Sequence, residues 1–94
     1  LAPIAESILA HHERWDGRGY PQNLEGEKIP LLARILAIVE AYDVMRRGSR
    51  YKLPLTEEQA YQEIKTQSGN QFDPRLVEVF LQLIHQARLK KLAE

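Results

Sequence analysis

Cysteine is missing from the 94 residues of this chain, which excludes disulfide bonds and thiolate metal ligands. This lack is typical of proteins in the reducing cytosol. Long apolar runs are missing as well, since no segment approaches the ~20 residues that a helix needs to cross a bilayer. The first residues also lack the basic start and apolar stretch of a signal peptide. We therefore expect a cytoplasmic protein that does not contact a membrane.

Net charge is missing too, because 13 Lys and Arg residues balance 13 Asp and Glu residues. This balance argues against a nucleic-acid partner, which would need a basic surface and a recognition motif. The charges are nevertheless uneven, since residues 1–45 carry −3 and residues 46–94 carry +3. Residues 46–52 contain four basic side chains, Arg46, Arg47, Arg50 and Lys52. This basic cluster either attracts a phosphate-bearing ligand or forms a solvated loop.

The residues that are present fit one small domain or part of a larger one. Hydrophobic residues make up 44% of the chain and charged residues 28%, which is ordinary for a soluble globular protein. The sequence begins with Leu1-Ala-Pro and has no initiator methionine there. We therefore expect it to be cut from a longer polypeptide.

Apolar residues recur at helical spacing in four segments, and no segment alternates with the period of a strand. The predicted fold is all-α, with about four helices and one long irregular loop over residues 13–29. The helices are expected over residues 3–12, 30–48, 56–68 and 73–89. A loop as long as this one is usually functional in a compact domain.

Residues with known capping roles mark the starts of three of these helices. Pro30 opens the second helix. Thr56 and Gln59 match the capping box of the third helix, in which each side chain bonds to the other's backbone. Asp73 is the expected N-cap of the fourth helix, followed by Pro74 at the first helical position.

The second helix has the broadest apolar face, and we expect it to be buried on most sides. Glu40 and Asp43 lie three residues apart and therefore share one face of it. Carboxylates on a buried helix need a partner, a metal ion or a proton. For Asp43, Arg47 four residues further on is an alternative partner. On the fourth helix the core face is expected from Leu76, Val77, Val79, Phe80, Leu83 and Ile84.

Residues 11–21, His-His-Glu-Arg-Trp-Asp-Gly-Arg-Gly-Tyr-Pro, have a composition that no helix or strand period explains. The imidazoles of His11 and His12 are suitable ligands for zinc, iron, copper or nickel. Glu13 and Asp16 are candidates for further ligands or for groups that orient the rings. The alternative is a helix end followed by a solvated loop, and local composition leaves both interpretations open.

This motif closely resembles the signature of the HD-GYP family, a branch of the HD phosphohydrolases. The resemblance continues through Gly26-Glu-Lys-Ile-Pro30, Ala33-Arg-Ile-Leu-Ala-Ile-Val-Glu-Ala-Tyr-Asp-Val-Met45 and Gly69-Asn-Gln-Phe-Asp-Pro74. It covers nearly the whole chain. The resemblance implies the C-terminal portion of an HD-GYP domain, a partial helical bundle. The helices that carry the family's His-Asp dyad are then expected upstream of residue 1.

The resemblance also implies a chemistry and a partner. Active members of the family bind two or three divalent metal ions, often iron or manganese, and hydrolyse cyclic di-GMP. Carried over by position, the implied metal ligands are His11, His12 and Glu40. The residues implied near the metal or the substrate are Asp43, Asp16, Arg50 and Lys52. The implied loop for contact with diguanylate cyclase domains consists of Gly19, Tyr20 and Pro21.

Three departures from the family pattern leave a second interpretation open. The dyad and the other upstream ligands are not among these residues, so we expect the isolated chain to bind metal weakly or not at all and to be inactive. The family's acid ligand is usually Asp where this chain has Glu40, and Ser49 stands at the position of a substrate-contacting arginine. The alternative function is a degenerate module that binds a nucleotide or a protein without turnover. If the chain folds without the upstream helices, the helix faces that would meet them are bare, and we expect the chain to self-associate through these faces.

Overall fold

The computed structural model describes the backbone of residues 2–94 and the side chains of residues 4–94, so Leu1 lies outside the described residues. The helices are α1 (Ala2–Ala10), α2 (Leu31–Arg47), α3 (Glu57–Thr66) and α4 (Pro74–Ala93). Within residues 2–94 the chain forms isolated β-bridges but no strand. The predicted all-α fold, with four helices and one long loop, is confirmed.

The predicted capping residues start α3 and α4. Thr56 Oγ1 accepts a hydrogen bond from the Gln59 backbone N–H at 3.1 Å, and Gln59 Oε1 accepts one from the Thr56 N–H at 3.0 Å. Both halves of the capping box therefore form. Asp73 Oδ1 accepts from the Arg75 N–H at 2.9 Å, with Pro74 at the first helical position. Because these bonds are local, the sequence alone was sufficient to predict them.

The main core lies between α2, α3 and α4. Its buried members are Ile38, Ile64, Phe72, Val77 and Leu81. A smaller core joins the end of α1 to the start of α2 through Ala10, Ile29 and Ala33. Burial of each large apolar side chain contributes roughly 1.5–3 kcal/mol, so the main core fixes how the last three helices pack.

Two predictions about burial are wrong. Helix α2 is not buried on most sides, because α1, α3 and α4 pack on only part of its surface. Its exposed apolar residues are Leu31, Leu32, Ile35, Val39 and Val44. On α4, Val79 and Leu83 are exposed, whereas Leu81 is buried one helical turn after Val77. Despite this exposed apolar surface, no helix in the described part of the chain is long and apolar enough to cross a membrane.

The loop between α1 and α2 is irregular as predicted, except for one 3-10 turn at Gly26–Lys28. It is fixed to the turn between α3 and α4 by two backbone hydrogen bonds. The Trp15 N–H donates to the Gln71 carbonyl at 3.1 Å, and the Asp16 N–H donates to the Asn70 carbonyl at 2.9 Å. The loop therefore has a defined place against the helices.

Arg34 of α2 joins three parts of the structure. Its Nη1 lies 2.6 Å from Asp73 Oδ2, at the start of α4. Its Nε donates to the Ile29 carbonyl at 2.9 Å, and its guanidinium lies 5.9 Å from the centre of the Trp15 ring. Both charged side chains of the ion pair are largely buried, so this contact locks the long loop, α2 and α4 together.

Candidate functional site

A groove of about 980 Å³ lies between α2 and the loops at both of its ends. Its polar lining includes His11, His12, Tyr20, Glu40, Ser49 and Lys52. Its apolar wall consists of Ala37, Ala41, Val44, Met45, Leu53 and Leu55. A groove with clustered polar groups at an apolar wall fits a ligand that has both charged and apolar parts.

The His11 ring is oriented by the helix that precedes it. Its Nδ1 is hydrogen-bonded to the Ile8 carbonyl, and because a carbonyl oxygen can only accept, Nδ1 carries the proton. The other ring nitrogen, Nε2, lies 3.1 Å from Glu40 Oε2. Two acceptors this close require a proton or a cation between them. His11 and Glu40 thus bring together an imidazole nitrogen and a carboxylate oxygen, which either share a proton or coordinate one cation.

His12 belongs to a row of three aromatic rings. Its ring centre lies 3.9 Å from that of His11, with an angle of 40° between the planes. The Tyr20 ring stacks on His12 at 5.1 Å and 17°. The two histidine side chains therefore lie on the same side of the chain, with their rings in contact, where the chain turns after α1.

The buried carboxylate of Glu13 holds the loop that carries Tyr20. Its Oε2 accepts a hydrogen bond from the Gln22 N–H at 2.7 Å, and its Oε1 accepts one from the Leu24 N–H at 2.9 Å. Each oxygen thus bonds to the loop backbone. Glu13 therefore stabilises the conformation of this loop.

Asp16 closes a turn beside the groove and does not line it. Its carboxylate accepts hydrogen bonds from the Arg14 guanidinium at 3.1 and 3.0 Å and from the Arg18 backbone N–H at 3.0 Å. The Arg14 hydrogen bond is the main cause of the lowered pKa of Asp16. Asp16 therefore stabilises the turn from Arg14 to Arg18 in this structure.

The remaining predicted site residues divide between the groove and the surface. Lys52 lines the groove, whereas Arg50 points its guanidinium at the Tyr51 ring, 5.9 Å away. Asp43 is paired with Arg47 at 3.1 Å, the alternative that the sequence had left open. Gly19 and Pro21 lie on the loop beside the groove and are not part of its lining.

The groove also contains residues that the sequence did not indicate. Ala37 and Val44 lie about one turn from Glu40 on α2, so helical spacing could have identified them, and Ala41 directly follows Glu40. Glu63 and Gln71 reach the groove from α3 and from the turn after it. Only the packing of α3 against α2 brings these two residues to the site, and no local pattern signals it.

The side chains at the groove are of the types that bind transition-metal ions, but too few of the described ones lie together to complete a metal site. Imidazole and carboxylate are suitable ligands for zinc, iron or manganese. Among the side chains of residues 4–94, however, no group of three or more His, Asp or Glu is arranged to hold a metal ion. The closest contact is the pair of His11 and Glu40, with His12 beside it.

Known proteins resemble this chain along most of its length. The model of a protein family described as "HD domain" matches residues 1–76 of this chain. A 3'3'-cGAMP-specific phosphodiesterase 2 of Vibrio cholerae is 45% identical over 83 residues, which cover 87% of this chain and 16% of that protein. A cyclic di-GMP phosphodiesterase of Thermotoga maritima is 44% identical over 79 residues, which cover 84% and 22%.

A solved structure agrees with these sequence matches. The crystal structure of a cyclic GMP-AMP-specific phosphodiesterase of V. cholerae superposes with a TM-score of 0.83 at 38% identity. The superposition covers 94% of this chain and 20% of that chain. The 94 residues therefore span about a fifth of the length of the relatives they match.

Proposed function

The chain belongs to the HD domain family and to its HD-GYP branch, and from that membership we propose that it supplies one wall of the active site of a phosphodiesterase. The substrate class is a cyclic dinucleotide, with cyclic di-GMP as the first candidate. The observation that carries this proposal is the 3.1 Å contact between His11 Nε2 and Glu40 Oε2 at the groove. A cytoplasmic location is part of the same proposal.

In this function His11, His12 and Glu40 hold a divalent metal ion, with iron or manganese as the first candidates. The chemistry that such an ion supplies when bound is polarisation of the phosphodiester and activation of a water molecule. The hydrogen bond from His11 Nδ1 to Ile8 keeps Nε2 directed at Glu40, so that both residues would hold the ion together. Glu40 provides negative charge from the opposite side of the contact, on a side chain one methylene longer than the usual Asp.

Lys52 and the apolar wall receive the rest of the substrate. The ammonium group of Lys52 supplies positive charge in the groove for a phosphate oxygen, while Arg50 lies outside the lining. Ser49 offers a hydroxyl to the same region. A purine ring packs against the wall formed by Ala41 and Met45. Cyclic di-GMP and 3'3'-cGAMP share these features, so the assay includes both.

We propose that the remaining metal ligands come from residues outside this chain. We propose that the 94 residues alone bind metal weakly and are inactive, because His11, His12 and Glu40 would be only part of such a ligand set. The expected contact between the Gly19–Pro21 loop and diguanylate cyclase domains stays a prediction. Tyr20 is 62% exposed, which leaves part of its ring open to such a partner.

A second candidate function is binding of a cyclic dinucleotide without turnover. Two residues favour it, because Glu40 replaces the usual Asp and Ser49 replaces a cationic arginine. Lys52 would then be the main charged contact with the phosphates. This candidate and the enzyme share the groove and differ in whether a complete metal centre assembles.

The test compares the 94-residue chain with a version extended at its N-terminus, each assayed for metal content and for hydrolysis of cyclic di-GMP and 3'3'-cGAMP. We expect the extended protein to bind about two ions and to produce linear or mononucleotide products, and the short chain to do neither. In the extended protein, His11→Ala should abolish turnover, whereas His85→Ala, on the exposed side of α4, should not. Tight dinucleotide binding without hydrolysis would favour the second candidate, and neither binding nor hydrolysis would reject both.

A further inference from the structure

Tyr20 makes its described ring contact with one of the proposed metal ligands. Its ring lies nearly parallel to that of His12, at 5.1 Å and 17°, although 62% of the residue is exposed. Burial in a core therefore does not account for its position. The chain reaches this position by folding back over the backbone of the two histidines.

Two features bring the Tyr20 backbone against His12. At Gly19 an added Cβ would lie 2.5 Å from the His12 carbonyl oxygen and 2.5 Å from the Arg14 nitrogen, so only glycine fits without displacement. The next residue, Tyr20, donates its N–H to the same His12 carbonyl at 3.4 Å. The loop therefore passes directly over the segment that holds the proposed ligands.

Buried polar contacts then hold the loop in that position. Glu13 is only 4% exposed, and its two carboxylate oxygens accept from the Gln22 and Leu24 backbone at 2.7 and 2.9 Å. The Asn23 side chain donates to the Gly19 carbonyl inside the same loop. Bonds on both sides of Tyr20 fix where its ring can lie.

We propose that Tyr20 is a positioning residue for His12, and that Glu13 holds it there. An imidazole can rotate broadly about its terminal torsion, so a ring stacked on it restricts the plane in which its nitrogens lie. The Ile8 carbonyl holds the His11 ring by a hydrogen bond, and Tyr20 restrains the plane of the His12 ring by stacking. This inference rests on the proposed function, because it takes His12 to be a metal ligand.

The test uses the 94-residue chain with Cu²⁺ as the probe, because copper binds nitrogen ligands most tightly among the first-row divalent ions and so reports on a partial site. Copper affinity and the electron paramagnetic resonance spectrum are measured for Tyr20→Phe, Tyr20→Leu and His12→Ala. Tyr51→Leu is the matched control, because Tyr51 is 88% exposed and does not line the groove. Circular dichroism checks that each variant is folded.

We expect Tyr20→Leu to weaken copper binding by roughly 10–100-fold, the usual effect of removing a group that orients a ligand. Tyr20→Phe keeps the ring and should retain the parent affinity and spectrum, as should Tyr51→Leu. Equal affinity for Tyr20→Leu and the parent would overturn the inference and leave the proposed function standing. If His12→Ala also binds copper as the parent does, His12 is not a ligand, and both the ligand assignment and the inference fail.

A second measurement does not depend on metal. In the metal-free chain, the ring current of Tyr20 should shift the NMR signals of the His12 ring protons away from those of the exposed His85. Tyr20→Phe should retain that shift, and Tyr20→Leu should reduce it to the part that the neighbouring His11 ring contributes. His12 signals that match His85 in the parent chain would show that the stack does not form in solution and would overturn the inference.

Discussion

Gly19 lies where an added methyl group would meet backbone atoms, which cannot move aside as a flexible side chain can. We predict that Gly19→Ala lowers the free energy of unfolding by about 1–3 kcal/mol, the usual cost of overpacking. It should also disturb the His12 ring signals, because Tyr20 is the next residue. Urea denaturation and NMR measure the two effects.

The control for this prediction is Gly69→Ala. Gly69 has a φ of +83° and no atom within 4 Å of an added Cβ. Gly69→Ala should therefore lower the free energy of unfolding by roughly 1–2 kcal/mol through backbone conformation alone. It lies outside the loop at the histidines and should leave the His12 signals unchanged. A Gly19→Ala protein with parent-like stability and His12 signals would contradict the close approach of the loop.

Asp16 gives a prediction about pH. Hydrogen bonding by Arg14 lowers its pKa in the folded state below the usual value of about 3.9. A lowered folded pKa stabilises the protein above the unfolded value, and this stabilisation is lost as the pH falls through the folded value. We predict that Asp16→Asn costs roughly 0.2–1 kcal/mol at neutral pH, because the ion pair is partly exposed.

The same substitution should cost progressively less as the pH falls below about 4. Urea denaturation of the parent and Asp16→Asn at a series of pH values checks this dependence. Asn at this position can still accept the Arg18 N–H bond through its amide oxygen, so the substitution removes the charge and the second hydrogen bond from Arg14 but keeps the turn contact. A cost that stays constant down to acid pH would mean that the ionised Asp16–Arg14 pair does not stabilise the fold.

At this scale, the residues named from the sequence and its family resemblance include only part of the groove, because Asp16, Asp43 and Arg50 were also named and do not line it. His11, His12, Glu40 and Lys52 were all named from the sequence, and all line it. The role of Glu13 in holding the loop was not predictable, because its partners are backbone N–H groups 9 and 11 residues away. A backbone partner leaves no side-chain signature in a sequence.

Among the helices, the contact between α2 and the start of α4 depends on one buried ion pair. Arg34 and Asp73 are 16% and 4% exposed, and Asp73 also caps α4. We predict that Arg34→Met lowers the free energy of unfolding by roughly 3–5 kcal/mol, because it leaves the Asp73 carboxylate buried without its cation. The hydrogen bond to the Ile29 carbonyl and the contact with Trp15 are lost as well.

Arg88→Met is the matched control for this change. Arg88 pairs with Glu57 and Glu58 across α3 and α4, but its side chain is 39% exposed, so its loss should cost less than about 1 kcal/mol. Thermal or urea unfolding of both variants gives the comparison. Similar costs for the two variants would mean that burial does not distinguish the Arg34 pair from a surface pair.

Helix positions were predictable from the sequence, whereas helix burial was not. The capping box at Thr56 and the cap at Asp73 form within a few residues, so local sequence specifies them. The breadth of the apolar face of α2 led to a wrong prediction of burial, because burial depends on which other elements cover that face. Val79 was misassigned to the core for the same reason.

In the molecule as a whole, apolar surface remains exposed on two helices that pack against each other. The exposed residues are Ile4, Ile8 and Leu9 on α1, and Leu31, Leu32, Ile35 and Val39 on α2. Apolar patches beyond a few hundred Å² are uncommon on monomers and usually mark sites of association. The expected self-association of the 94-residue chain therefore has a specific surface, which can be tested by substitution.

We predict that the 94-residue chain self-associates through this α1–α2 surface. Light scattering over a dilution series should give a mass that rises with concentration above that of the 10.9 kDa monomer. Leu31→Gln combined with Ile35→Gln should shift the chain towards monomer, because both side chains are exposed one turn apart on α2. The matched control is Val79→Gln with Leu83→Gln, an apolar pair on α4 that is more exposed in sum and should leave the mass unchanged. A monomer at every concentration would contradict the prediction. If only the α4 substitutions change the mass, the chain associates through α4 and not through the α1–α2 surface.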